Sequence, residues 1–163
     1  MLPKSKPPIV LPDGTDAQFD EPIHLLRQSR GEFSDIAADL GLTETGSFRA
    51  VLATDVNRDG VQDLLITRVS DSTLAYVSTG CTAANWVGVD APIGSTVTVT
   101  AGDTQQTDWV RVGRGYQSTS REPLHFGLGN DDVIDRVTVT YPGGSTQIFE
   151  GPFEARQTLV IQQ

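Results

Sequence analysis

From Thr96 to Ala101 the chain alternates without a break, with Thr96, Thr98 and Thr100 on one side and Val97, Val99 and Ala101 on the other. Successive side chains of a strand point to opposite faces, so this segment has one face to bury and one to wet. Val137, Val139 and Tyr141 repeat the pattern against Thr138 and Thr140, and Leu159 and Ile161 do so near the end. Turn residues separate these runs at Gly102-Asp103, Gly113 to Gly115, Gly127 to Asn130 and Pro142-Gly143-Gly144. The second half of the chain is therefore read as an antiparallel β-sandwich or barrel-like unit.

The first half has a different texture. Phe48, Ala50 and Leu52 alternate with Val51 and Ala53, and Leu64, Leu65 and Ile66 follow in an unbroken run. Both faces of these strands are apolar, so both need cover. Between them lies Asp55-Val56-Asn57-Arg58-Asp59-Gly60-Val61-Gln62-Asp63. Asp55, Asn57, Asp59 and Asp63 occupy positions one, three, five and nine, Gly60 stands where the backbone must turn at six, and the Val61 carbonyl is offered at seven. Calcium takes six to eight oxygen ligands at ~2.3–2.6 Å, and three carboxylates on one short loop would repel without it. The predicted metal ligands are Asp55, Asn57, Asp59, Val61 and Asp63, and the predicted cofactor is Ca2+. This is no EF-hand, because position twelve is Ile66 and the flanks read as strands instead of helices.

Ahead of these strands, Met1 to Pro22 carries five prolines and reads as a linker, with Asp13, Asp16 and Asp20 as solvated charges. Ile23 to Arg27 is expected to form a short strand. Ser34 to Leu40 is expected to form the one short helix, capped by Ser34, favoured by Asp35 at its positive end and stopped at Gly41.

Composition narrows the function classes. The net charge of −9, from 21 acidic and 12 basic residues, argues against nucleic acid, whose phosphates need clustered Lys and Arg. No run approaches the ~20 apolar residues of a membrane span, and Met1 to Pro8 has no apolar signal-peptide core. Cys81 is the single cysteine, so no internal disulfide forms, and it reads as a small buried hydrophobe. His125 lies in a strand pattern without a nucleophile motif and reads as structural, and His24 is given no role. Gly113-x-Gly115-Tyr116 lacks the helix and Lys of a phosphate loop, and Asp131, Asp132 and Asp135 read as turn charges. Trp86, Trp109 and Tyr116 are expected to pack in the core. No catalytic residue is predicted.

Asp55 to Asp63 with the Leu64-Leu65-Ile66 that follows resembles the calcium hairpin of an FG-GAP propeller repeat, and Leu25-Leu26-Arg27, Gly31-Glu32-Phe33, Asp35-Ile36-Ala37 and Gly41-Leu42 keep that repeat's order. Downstream, Gly113 to Ser118, Leu124-His125-Phe126-Gly127-Leu128-Gly129, Asp135-Arg136-Val137, Tyr141-Pro142-Gly143-Gly144 and Gln157 to Ile161 resemble the ASPIC/UnbV domain of the cartilage-acidic-protein family. Tyr141 stands where that family usually has Trp, Thr119 where it has Gln, and Arg156 where it has Asn. The resemblance implies an all-β chain in three parts: a linker at 1–22, one blade at 23–80 and an ASPIC/UnbV-like domain at 81–163. It also implies a secreted, non-catalytic, calcium-binding adhesion or matrix module, a fragment or reduced member of a larger protein. Its partner would be an extracellular protein or glycan, with neither nucleic acid nor membrane insertion, and the lone blade could self-associate. The alternative is an accessory or carbohydrate-binding domain of a secreted enzyme whose catalytic part lies elsewhere.

Overall fold

The described residues of the computed structural model are 21–69, 71–79, 84–113, 115–116 and 118–162. Asp13, Asp16, Asp20 and Cys81, with nearly all of the proline-rich segment, lie outside them. The strands run in chain order as β1 (Glu21–Pro22), β2 (Leu26–Ser29), β3 (Glu32–Asp35), β4 (Thr45–Gly46), β5 (Phe48–Thr54), β6 (Asp63–Arg68) and β7 (Leu74–Tyr76). They continue as β8 (Asn85–Asp90), β9 (Thr96–Ala101), β10 (Thr104–Trp109), β11 (Leu124–Gly129), β12 (Val133–Thr140), β13 (Thr146–Glu154) and β14 (Gln157–Val160). The described chain is all-β apart from one 3-10 turn, Ala38–Leu40.

Two compact units divide it: the described residues of Met1–Ala50 with Ile66–Leu74, and those of Val51–Leu65 with Ala75–Gln163. In the second unit β10, β9, β12 and β13 form a four-stranded sheet in that order, and β11, β8 and β14 a three-stranded one. The period-two alternation of β9 and β12 decides what they bury. Val97, Val99 and Ala101 of β9, with Val137 and Val139 of β12, are almost fully buried, while the intervening threonines are not. They share one core with Val87 and Val89 of β8, Leu124, Phe126 and Leu128 of β11, and Ile161. Two sheets with their apolar faces in a common core make a β-sandwich. It is not a closed barrel.

One feature departs from the antiparallel expectation: β14 runs parallel to β8. The cause is a change of sheet. β13 belongs to the four-stranded sheet, and within two residues Ala155 donates to the Asp132 carbonyl at 2.9 Å and Arg156 to the Trp86 carbonyl at 2.7 Å. The chain thus crosses at the sandwich edge and enters the other sheet in β8's direction. The turns fall where glycine signalled them, at Gly102-Asp103 between β9 and β10, and at Pro142 to Ser145, where Gly144 donates to the Tyr141 carbonyl at 2.8 Å.

In the first unit the expected helix over Ser34–Leu40 does not form. Ser34 and Asp35 end β3, pairing with Arg27 and Leu26 of β2, and only the 3-10 turn follows. Asp35 is used differently from a helix-dipole partner. Its carboxylate accepts the Leu25 and Ala37 N–H groups at 3.2 and 3.0 Å and meets His24 Nδ1 at 2.6 Å. The His24 hydrogen bond, then those two amides, hold its carboxyl below the usual value. Seven residues could not outweigh a β2–β3 hairpin that already uses Asp35, since short helices are marginal. The strand expected at Ile23–Arg27 begins later, at Leu26.

β5, β6 and β7 form a three-stranded sheet in that order. At the open end of the β5–β6 hairpin, Val69 donates to the Ser47 carbonyl at 2.9 Å and Ala50 to Thr67 Oγ1 at 3.0 Å. Of the apolar side chains that need cover, Ile66 is buried, Phe48, Leu52 and Leu64 are half-buried, and Val51 is 55% exposed.

Candidate metal centre

The Asp55–Gln62 loop joins β5 to β6, and its side chains fold back on its own backbone. Asp55 accepts the Asp59 N–H at 3.0 Å on one carboxylate oxygen and the Gly60 N–H at 2.8 Å on the other. Asn57 Oδ1 also accepts the Asp59 N–H, at 3.2 Å, and its Nδ2 donates to Asp59 at 2.8 Å. Asp59 in turn accepts the Val61 N–H at 2.8 Å. Carboxylate–amide bonds of this kind are the local chemistry by which Asp and Asn shape turns. The path needs two left-handed residues, Arg58 at φ 62° and Gly60 at φ 88°.

Asp63 sits apart in role. It is 1% exposed, and its oxygens accept the Val56 N–H at 2.9 Å and the Ser78 N–H at 2.8 Å. Ser78 also donates its hydroxyl to the Gln62 carbonyl at 2.6 Å. A buried carboxylate needs such donors, and Ser78, fifteen residues downstream, carried no sequence signal for this task.

Asp55, Asn57 and Asp59 are therefore brought together, Asp63 closes the loop's base, and Val61 is held by Asp59. The donor set fits a hard cation in kind, being all oxygen, and each carboxylate oxygen that accepts one N–H keeps a further acceptor site. The charges are met by amides, and among the described residues no three His, Cys, Asp or Glu side chains converge on one point.

The loop rests on the sandwich of its own unit. A Cβ at position 60 would overlap the Trp86 indole, so Gly60 is required by contact as well as by φ. The other neighbour of Trp86 is His125, stacked with ring centroids 5.5 Å apart and planes 19° from parallel. The residue is exposed, yet one ring face is covered, and this loss of water lowers the imidazole pKa while the Asp55 charge opposes the shift. A lowered folded-state value means that the unfolded chain takes up the proton first as pH falls. Stability should thus be full above the ordinary imidazole value of 6.5 and be lost as pH falls through it. Urea denaturation across that range should show the slope, and His125→Phe should flatten it while keeping the ring stack. An unchanged slope in the variant would assign the effect to another group.

The expected core aromatics divide. Trp86 is half-buried, but Trp109 is 55% exposed and Tyr116 69% exposed, a correction to the expectation that all three pack inside. Trp109 ends β10 with its side chain on the wet face, and the Arg111 guanidinium stands over its ring at 5.8 Å. Asp135, expected as a turn charge, lies instead within β12, where it accepts the Gly102 N–H at 2.8 Å and so serves the β9–β10 turn. Among the described residues no helix is long and apolar enough to cross a membrane.

With this geometry in place, comparison with known proteins adds one finding. Residues 89–163 match the family model described as ASPIC and UnbV. The match begins within β8 and takes in the rest of the sandwich. No curated protein matches the chain.

Proposed function

We propose that this chain is a non-catalytic interaction module of the extracellular space, in which an FG-GAP-type blade hairpin carries one calcium ion beside an ASPIC/UnbV-type sandwich. The observation that carries the reading is the Asp55–Asp63 loop, where oxygen side chains at calcium-loop spacing already wrap the backbone around Asp55. Asp55, Asn57, Asp59, Asp63 and the Val61 carbonyl would hold the ion. Once bound, the cation neutralises carboxylate charge that is otherwise met only by amide dipoles. Sites of this composition suit extracellular supply, at about 0.1–1 mM calcium. His125 is given a packing role against Trp86 and no chemistry.

Isothermal titration calorimetry tests the ion directly. Calcium added up to about 1 mM should titrate one site, with Asp59→Ala showing no heat of binding. A wild-type chain without binding heat in that range would overturn the reading.

The exposure of Trp109 and Tyr116 supports a second reading, the carbohydrate-binding accessory domain of a secreted enzyme. Both readings share a partner-binding sandwich and differ in what it binds.

A further inference from the structure

We propose that a cavity at one end of the three-stranded sheet binds a small zwitterion with an apolar body, an apolar amino acid or a dipeptide of such residues. The cavity measures about 460 Å³ and lies where β8 and β14 end, against the start of the β8–β9 connection. Clefts of about 300–1,000 Å³ are the size that holds small molecules. Its lining is of two kinds. Ala91 and Ile161 are buried and belong to the sandwich core, and Pro92, Ile93 and Val160 continue the apolar surface outward. Asp90, Arg121 and Gln162 supply the polar groups.

Asp90 and Arg121 decide what the cavity takes. They line it with opposite charges, yet they form no ion pair with each other, and neither side chain makes a hydrogen bond among the described residues. Elsewhere on this chain neighbouring opposite charges close on each other, as Arg68 does with Asp71 and Arg136 with Glu150, both at 3.1 Å. A plain anion such as a fatty acid would satisfy Arg121 and set its charge beside Asp90, and a plain amine would do the reverse. A zwitterion answers both groups. Its carboxylate accepts from the guanidinium fork as a bidentate pair, and its ammonium donates to the Asp90 carboxylate. The apolar body then covers Ile93 and Val160, which are 49% and 62% exposed. The Gln162 amide offers a donor and an acceptor to the peptide bond of a dipeptide.

The walls are fixed by the fold. β14 lies beside β8 with Val160 opposite Asp90, and Ile161 donates to the Asp90 carbonyl at 2.8 Å. In the β8–β9 connection Ser95 donates to the Pro92 carbonyl at 3.1 Å. Gly94 donates to the Val110 carbonyl at 2.7 Å, and Val110 returns a bond to the Ser95 carbonyl at 2.9 Å. Pro92 and Ile93 are thus held at both ends, and binding has little ordering left to do.

The cavity shares no residue with the Asp55–Asp63 loop, so the inference goes beyond the calcium reading and does not depend on it. Saturation-transfer NMR and isothermal titration calorimetry of the full chain with leucine, phenylalanine and leucyl-leucine test it, each beside its N-acetyl and C-terminal amide derivatives. At least one free zwitterion should bind with a dissociation constant of about 1 mM or below. Acetylation removes the ammonium and amidation the carboxylate, and each should weaken binding by about tenfold or more. Asp90→Asn and Arg121→Gln should each do the same with the wild-type melting temperature kept, since neither side chain has a partner among the described residues. If a variant folds poorly, the derivatives still decide the matter on the wild-type chain. No binding of any of these zwitterions up to about 10 mM, a derivative that binds as tightly as its parent, or a folded variant that binds as the wild type does would overturn the proposal. A melting temperature indifferent to calcium with zwitterion binding intact would instead remove the metal reading and leave this one standing.

Discussion

Removal of calcium is expected to lower the melting temperature of this chain by about 5–10 °C when the ion had been present at about 100 times its dissociation constant. One-site linkage then contributes about 2.7 kcal/mol, and each kcal/mol moves the melt of a chain this size by about 2–4 °C. The structural reason is the division of labour in the loop. Asp55 holds the Asp59 and Gly60 amides, Asp59 holds Val61, and Asp63 ties Val56 to Ser78. All three carboxylates lie within nine residues, and a cation relieves their mutual repulsion in the folded state only. Asp59→Ala should melt lower than wild type, because Val61 and Asn57 lose their acceptor, and its melt should ignore the chelator. Magnesium should restore less than calcium does, since it demands tighter geometry and gives up water reluctantly. Calorimetric scans with chelator, calcium and magnesium decide it. Identical melts for the wild-type chain in all three would remove the ion from the loop.

The sandwich was legible because period-two alternation is a direct record of burial. Val97, Val99 and Ala101 had to face inward once Thr96, Thr98 and Thr100 faced out, and the pairing of β9 with β12 keeps that parity, setting Val97 and Val99 opposite Val139 and Val137. The parallel placement of β14 was not legible, since it rests on the Ala155 amide finding the Asp132 carbonyl just ahead of β12 and the Arg156 amide finding the Trp86 carbonyl in β8. The helix expectation failed for a similar reason. Ser34, Asp35 and Gly41 are sound local signals, but His24 and Leu25 compete for Asp35 from eleven and ten residues away. Local propensity is a weak prior when a tertiary contact claims the same side chain.

At the candidate site, spacing along the chain identified the side chains that meet within the loop, and it could not identify what lies beneath them. Ser78, Trp86 and His125 come from three other segments, and nothing in the loop's own spacing points to them. Exposure was misjudged for Trp109 because an aromatic at a strand end looks the same in sequence on either face. The strand's own parity, with Thr107 and Trp109 opposite Thr98 and Thr96, places it on the wet side.

Gly60 should be among the least tolerant positions in the chain, and the reason can be separated into two parts. An alanine there would adopt φ near 88°, which costs an L-residue about 1–2 kcal/mol. Its methyl group would also overlap the Trp86 indole, and forced overpacking adds about 1–3 kcal/mol. Gly60→Ala is thus expected to destabilise by about 2–5 kcal/mol. Gly31 supplies the control, because its φ of 86° is nearly the same and a Cβ there would meet nothing within 4 Å. Gly31→Ala should therefore show the strain alone. Trp86→Ala removes the overlapped ring, so the double variant Gly60→Ala/Trp86→Ala should be more stable than the two single losses added together, by about 1–3 kcal/mol. Urea denaturation of the four variants measures each quantity. If Gly60→Ala costs no more than Gly31→Ala and couples to Trp86 by nothing, the loop does not rest on the sandwich. The Asp55–Asp63 loop and the β-sandwich would then be mechanically independent. If the coupling appears, an ion held at Asp55–Asp63 would act on a loop whose fixed point is the indole, and ordering that loop would also order the Trp86–His125 stack.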